Sequence, residues 1–252
     1  MALSFPSDRA ARLASLRSQI ARLEGGRHAR VRDAVPLAPG LDAVLPAGGL
    51  ARGAVHEVLA EDDGAAAGFA ALMLARAAGP VLWISPAPDA YPPGLAQLGL
   101  KPAGLVLVRA RAGDDVLWAL EEALRAPEVA GAVAFAERLD LTVSRRLQLA
   151  AEAGGGLGLV LRPDAKQVPP TACLTRWRVG ARPGQGGSRH VMGDPVRRLD
   201  LLKSRGGVTG AWDVALRAGG GLEVMAVSRR PHPDPLPRAG EGQCEGPLRA
   251  AG

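Results

Sequence analysis

The first residues whose types and spacing could do chemistry lie between positions 60 and 70. Glu61, Asp62, Asp63 and Gly64 follow an apolar, β-branched run, and Gly68 and Phe69 stand in an Ala/Leu-rich one. A strand, a glycine-containing turn and a helix form the scaffold on which nucleotide-binding proteins hold phosphate. The turn and the helix N-terminus there present free N–H groups. A P-loop needs more, G-x-x-x-x-G-K-[ST], whose lysine reaches the phosphates. Gly68 can stand as the second glycine, but Phe69 and Ala70 occupy the lysine and Ser/Thr positions. Three carboxylates add negative charge where a triphosphate would sit. The stretch has the scaffold of a phosphate site without its chemistry.

Other chemistry is sparse. Cys173 and Cys244 are far apart, and His28, His56, His190 and His232 show no ligand spacing, so neither a disulfide framework nor a metal site is expected. No cofactor is implied. The 252 residues carry a net charge of +6, and the basic excess is almost all arginine, with lysine only at Lys101, Lys166 and Lys203. Such a balance suits weak nucleic-acid contact or an acidic protein partner, and equally a plain arginine-for-lysine bias. The most basic ordered segment holds Arg197, Arg198, Lys203 and Arg205, the candidate contact for nucleic acid. No apolar run approaches the roughly 18 residues of a membrane span, and the N-terminus lacks a signal peptide's apolar stretch. The expectation is a soluble, cytoplasmic protein.

The elements that must position these residues follow from periodicity. Residues 54–60 read as a buried parallel strand, and 65–78 as a helix stopped by Gly79-Pro80. Further strands are expected at 81–85, 105–110, 131–136 and 157–162, with helices at 94–98, 114–125 and 141–153. Strand and helix alternating at this spacing imply an α/β fold, a mainly parallel twisted sheet with helices on both faces. After Pro163 the pattern becomes strands joined by turns, at 173–179, 196–204, 211–216 and 221–227. These would extend the sheet antiparallel at one edge. Trp83 and Trp118 read as core and Trp212 as packing a hairpin. Trp177 reads as a core residue between solvated Arg176 and Arg178.

Three segments flank this domain. Within residues 1–26, Leu13, Leu16, Ile20 and Leu23 form a narrow stripe at helical spacing, suited to docking on this domain or on a partner. Residues 27–50 read as a Pro/Gly-broken connector into a core domain at 51–227. Residues 228–252, rich in alternating prolines, read as a disordered tail.

The ordered set of segments is similar to the ImuA family, RecA/SulA-like proteins of bacterial DNA-damage-inducible mutagenesis cassettes. LPAGGLARGAVHEVLAEDDGAAAGF parallels the strand and P-loop region of RecA, and PVLWISPAPDAYPPGLAQLGL the next strand and helix. AGAVAFAERLDLTVSRRLQLAAEAGG parallels the Walker B region, and VRRLDLLKSRGGVTGAWDVAL the terminal strands. The resemblance spans about residues 5 to 227. It implies a RecA-like fold and a role in SOS-induced translesion synthesis, with RecA, ImuB and the associated error-prone DNA polymerase as partners. RecA-type chemistry is eroded at each position it would need. Glu57 persists in the first strand, but the catalytic glutamate after the second strand is replaced by SPAPDA, with no carboxylate before Asp89. The Walker B aspartate gives way to Ala136, followed by Glu137, which could stand beside magnesium in a divergent ATPase. The connections where the recombinase carries its DNA-binding loops are short: residues 137–141 are nearly all taken up by a helix start, and residues 163–172 hold Lys166 as their one base. The resemblance therefore implies a non-catalytic accessory protein. A divergent P-loop ATPase and a weak single-stranded DNA binder are the alternatives.

Overall fold

The computed structural model describes residues 34–87, 90–111, 113–185, 193–217 and 219–228. The segment carrying Leu13, Leu16, Ile20 and Leu23, the segment 229–252, Asp89, Cys244, His28, His190 and His232 lie outside them.

In chain order the elements are β1 (Ala34–Val35), α1 (Pro39–Asp42), β2 (Leu50–Ala51), β3 (Ala54–Ala60), α2 (Asp63–Ala75), β4 (Val81–Ser85) and α3 (Pro92–Gln97). A single 3-10 turn (Pro102–Gly104) leads into β5 (Leu105–Arg109), followed by α4 (Asp114–Arg125), β6 (Gly131–Phe135), α5 (Leu141–Gly154) and β7 (Leu157–Pro163). The chain then runs through β8 (Thr175–Gln185), β9 (Asp194–Ser204), β10 (Gly210–Arg217) and β11 (Gly221–Ser228). Among the described residues β3 to β11 form one sheet in the order β11-β10-β9-β8-β3-β7-β6-β4-β5. The strands from β8 to β5 in that order are mutually parallel, and β9, β10 and β11 add an antiparallel meander. The expected extension therefore begins one strand later. β8 pairs parallel to β3, because residues 164–174 carry the chain back across the sheet end before it enters.

Each helix is placed by its own sequence. Asp62 caps α2 by accepting from the Ala65 amide at 2.6 Å, and Asp140 caps α5 by accepting from Val143 at 2.7 Å. Asp114 is the first helical residue of α4 behind Gly113. Gly155 closes α5 in the left-handed region at φ 82°. α2 covers one face of the sheet, where Phe69, Leu72, Trp83, Trp177 and Trp212 are buried together. α4 and α5 cover the other, over Val55, Ile84, Leu120, Leu124, Leu147 and Val160.

Three further expectations change. Trp118 is 61% exposed, because Val116 and Leu120 turn the inner face of α4 to the sheet and a residue two positions beyond Val116 points about 200° away. Arg176 and Arg178 are ion-paired to Glu57 and Asp164 and not simply solvated. The described part of the connector, residues 34–50, belongs to the core. Val35, Leu37, Leu41, Leu45 and Leu50 are buried in the same cluster as Trp177, and β1 pairs antiparallel with β2.

Candidate functional site

In parallel sheets ligands settle at the carboxyl ends of the strands, so the turn after β3 is where a phosphate would bind. It is short. β3 ends at Ala60 and α2 begins at Asp63, leaving Glu61 and Asp62 as the whole connection. A P-loop with Gly68 as its second glycine would need residues 63–68 as an open loop, but they are helical from Asp63 onward. Asp63 and Gly64, expected in the turn, therefore belong to the helix.

Four amides at this turn, those of Glu61, Asp62, Ala65 and Ala66, are already engaged. Glu61 and Asp62 both point their amides at the Val179 carbonyl of β8, at 2.9 and 3.4 Å. The Ala65 amide goes to the Asp62 carboxylate and the Ala66 amide to the Asp62 carbonyl. The Glu61 side chain lies across Gly180 of β8, where an added Cβ would come within 2.2 Å of Oε2. Arg182 stands 3.7 Å from the same carboxylate. A Cβ added at Gly68 would meet Leu98 at 3.7 Å, an ordinary contact, so packing does not require a glycine there. Phe69, in the lysine position, faces inward and packs on Trp177 at 5.8 Å between ring centroids.

The remaining carboxylates expected of RecA-type chemistry are scattered. Glu137 is exposed beyond β6 and forms no hydrogen bond or ion pair among the described residues. Glu57 is fully buried on the α5 side of β3. Its carboxylate accepts from Arg162 Nη1 at 3.0 Å, Arg176 Nε at 2.7 Å and Thr171 Oγ1 at 2.9 Å. Register explains the meeting, since Glu57 sits opposite Arg176 of β8 and opposite Val160 of β7, two residues before Arg162. A carboxylate in the middle of AVHEVLA demands such partners, because an unpaired buried charge is very costly. That demand was the readable signal; the identity of the partners was not.

His56 on the opposite side of β3 is also buried and satisfied. Its Nε2 donates to the Ala51 carbonyl at 2.9 Å, and its Nδ1 accepts from Thr175 Oγ1 at 2.8 Å, which in turn accepts from Trp177 Nε1. Burial pushes its pKa down to about 4, against a smaller upward pull from the Ala51 carbonyl. Cys173 is fully buried, and burial followed by the charge of Glu57 raises its thiol to about 11. Among the described residues no cluster of His, Cys, Asp or Glu could hold a metal ion, and no helix is long and apolar enough to cross a membrane.

The four late basic residues do not share one surface. Arg197 and Arg198 are neighbours on β9 and so project to opposite faces. Arg198 is neutralised by Asp200 at 2.8 Å and Asp213 at 3.3 Å. A slip in register leaves Leu202 unpaired and sets Lys203 beside Arg176, where its Nζ donates to the Thr171 carbonyl at 2.6 Å. Arg205 leaves the sheet and joins Arg145 and Arg146, which the sequence reading had not singled out, around a cleft against Thr171 and Ala172.

The parallel sheet with helices on both faces, widened by an antiparallel meander, defines a RecA-like α/β protein. The crystal structure of the RadB recombinase superposes with a TM-score of 0.56 at 16% identity, covering 75% of this chain and all of that one. The chain belongs to the ImuA family. It is 39% identical over 214 residues to Protein ImuA of Caulobacter vibrioides strain NA1000 / CB15N, covering 77% of this chain and 84% of that protein. Protein ImuA of Caulobacter vibrioides strain ATCC 19089 / CIP 103742 / CB 15 matches to the same extent. No family model matches the chain.

Proposed function

We infer that this protein is a non-catalytic RecA-like accessory factor of DNA-damage-induced translesion synthesis. It works by association with RecA, with the assembly of ImuB and the error-prone polymerase, or with both. The observation that carries the non-catalytic part is the closed turn after β3. The amides of Glu61 and Asp62 are spent on Val179 and that of Ala65 on the Asp62 side chain, and Glu61 lies over β8. Phosphoryl transfer depends on positioning and on lysine and magnesium neutralising charge. Phe69 in the core supplies neither. Family membership supports the partner set, and the apolar stripe Leu13, Leu16, Ile20 and Leu23 supplies a surface of the right kind to engage it.

Leu16→Asp and Ile20→Asp are expected to abolish capture of RecA or ImuB while leaving the melting temperature unchanged. Undiminished pull-down of both partners by both variants would remove the stripe as the contact. The same preparation should show no saturable binding of a labelled ATP analogue at micromolar concentration with magnesium. Binding that Glu137→Ala abolished would replace this reading by the divergent ATPase.

A further inference from the structure

The cleft beside α5 measures about 440 Å³ and is lined by Leu141, Thr142, Arg145, Arg146, Thr171, Ala172 and Arg205. Its walls are fixed. Ser144 Oγ accepts from the Ala172 amide at 2.9 Å and donates to the Leu141 carbonyl at 3.0 Å, tying the first turn of α5 to the approach to β8. The Arg205 amide donates to the Leu174 carbonyl at 3.0 Å. Thr171 is buried and held from below by Glu57 and Lys203.

The chemistry of the cleft is two-fold. Its inner surface is mostly carbon, from Ala172, the threonine methyl groups, the arginine stems and Leu141, which stands 55% exposed at the mouth. Its rim is cationic. Arg145 is exposed and has no hydrogen bond or ion pair among the described residues. The Arg205 guanidinium makes one long hydrogen bond, to the Ala172 carbonyl at 3.4 Å. Arg146 shares Glu121 with Arg125. The nearest carboxylate in sequence, Asp140, is engaged by the Val143 amide.

We propose that this cleft binds an acidic peptide segment of a partner protein. One apolar residue of that segment would enter the pocket while flanking carboxylates meet Arg145, Arg146 and Arg205. Arginine forks suit carboxylates, and an apolar anchor with a charged rim is how short segments gain both affinity and register. The chain's own flanks fit poorly. Residues 1–33 carry seven arginines against Asp8, Glu24 and Asp33, and residues 229–252 also hold more arginine than acid. A net charge of +6 likewise opposes a second copy. Single-stranded nucleic acid fits less well than peptide, because it binds by stacking on aromatic groups and no aromatic residue lines the cleft. The proposal rests on the adaptor reading above and gives that adaptor a specific point of attachment. Capture of RecA and ImuB reports on that reading and peptide binding reports on the cleft, so either can fail alone.

The test is fluorescence anisotropy of the full chain with a short labelled peptide of aspartate and glutamate around one leucine. A serine-for-leucine version and a labelled oligo-dT serve as competing probes. Arg145→Glu and Arg205→Glu should each weaken the leucine peptide by about tenfold or more, equivalent to about 1.4 kcal/mol. The serine peptide should bind the unaltered chain similarly weakly. Arg145 has no internal partner to lose, so Arg145→Glu reads the cleft even where Arg205→Glu fails to fold. Equal affinity of the leucine peptide for the unaltered chain and for Arg145→Glu would overturn the proposal. So would tighter binding of oligo-dT that is indifferent to Leu141→Ser.

Discussion

At the scale of single residues, two ionisable groups in one strand are put to structural use. Glu57 and His56 are adjacent in β3, face opposite sides and are fully buried, each with its polar atoms satisfied. The sequence marked Glu57 as a survivor of ATPase chemistry, and the structure places it between Arg162 and Arg176. His56 gives this strand a pH signature. Its folded pKa of about 4 lies below the ordinary 6.5, so above the ordinary value it is neutral in both states and its contribution is complete. As pH falls from there towards the folded value, the unfolded chain takes up a proton that the folded chain refuses. Stability then drops by up to about 1.4 kcal/mol per pH unit from this group. The urea midpoint should therefore be lower at pH 5 than at pH 7. His56→Gln should be less stable at pH 7 and should lose most of that slope. A wild-type midpoint that stayed flat across this range would contradict the assignment.

Among elements, close approach and capping decide more than propensity does. The β3–α2 unit was legible as strand, turn and helix, and the strand bounds agree to the residue. The length of its turn was not legible, because an Asp at either of two adjacent positions can cap a helix. The tertiary contact of Glu61 and Asp62 with β8 made the choice. Asp62→Ala should cost about 0.5–2 kcal/mol, read as a lowered denaturation midpoint, through loss of the bond to the Ala65 amide. α4 and α5 offer a parallel case. At Gly154 an added Cβ would meet the Leu124 carbonyl at 2.1 Å, so glycine is what lets the ends of the two helices touch. The sequence shows only a run of glycines closing a helix there.

For the molecule as a whole, the core extends beyond the domain that periodicity outlines. Residues 34–51 contribute Leu41 and Leu50 to the same cluster as α2 and Trp177, although their prolines and glycines read as a linker. Leu41 is fully buried. Leu41→Ala should destabilise the entire fold by about 2–5 kcal/mol in one cooperative urea transition. A loss below about 0.5 kcal/mol would mean that this segment is an appendage after all. The same global view accounts for the basic residues. Arg197, Arg198, Lys203 and Arg205 are close in sequence, but alternation, a register slip and an exit from the sheet send them to different neighbours.

By itself the sequence determined the class of fold and the order of its elements, because apolar period and turn residues are local properties that survive without knowledge of neighbours. It also shows Phe69 and Ala70 after Gly68, where a phosphate loop aligned on that glycine would carry Lys and Ser/Thr. Only the tertiary structure decided which strand lies beside β3, which arginines neutralise Glu57, and that Trp118 is outside while Leu41 is inside. It also brought Arg205 to Arg145 from sixty residues away in sequence. These are outcomes of pairing between distant segments, and the free energy that selects them resides in contacts that no local window contains.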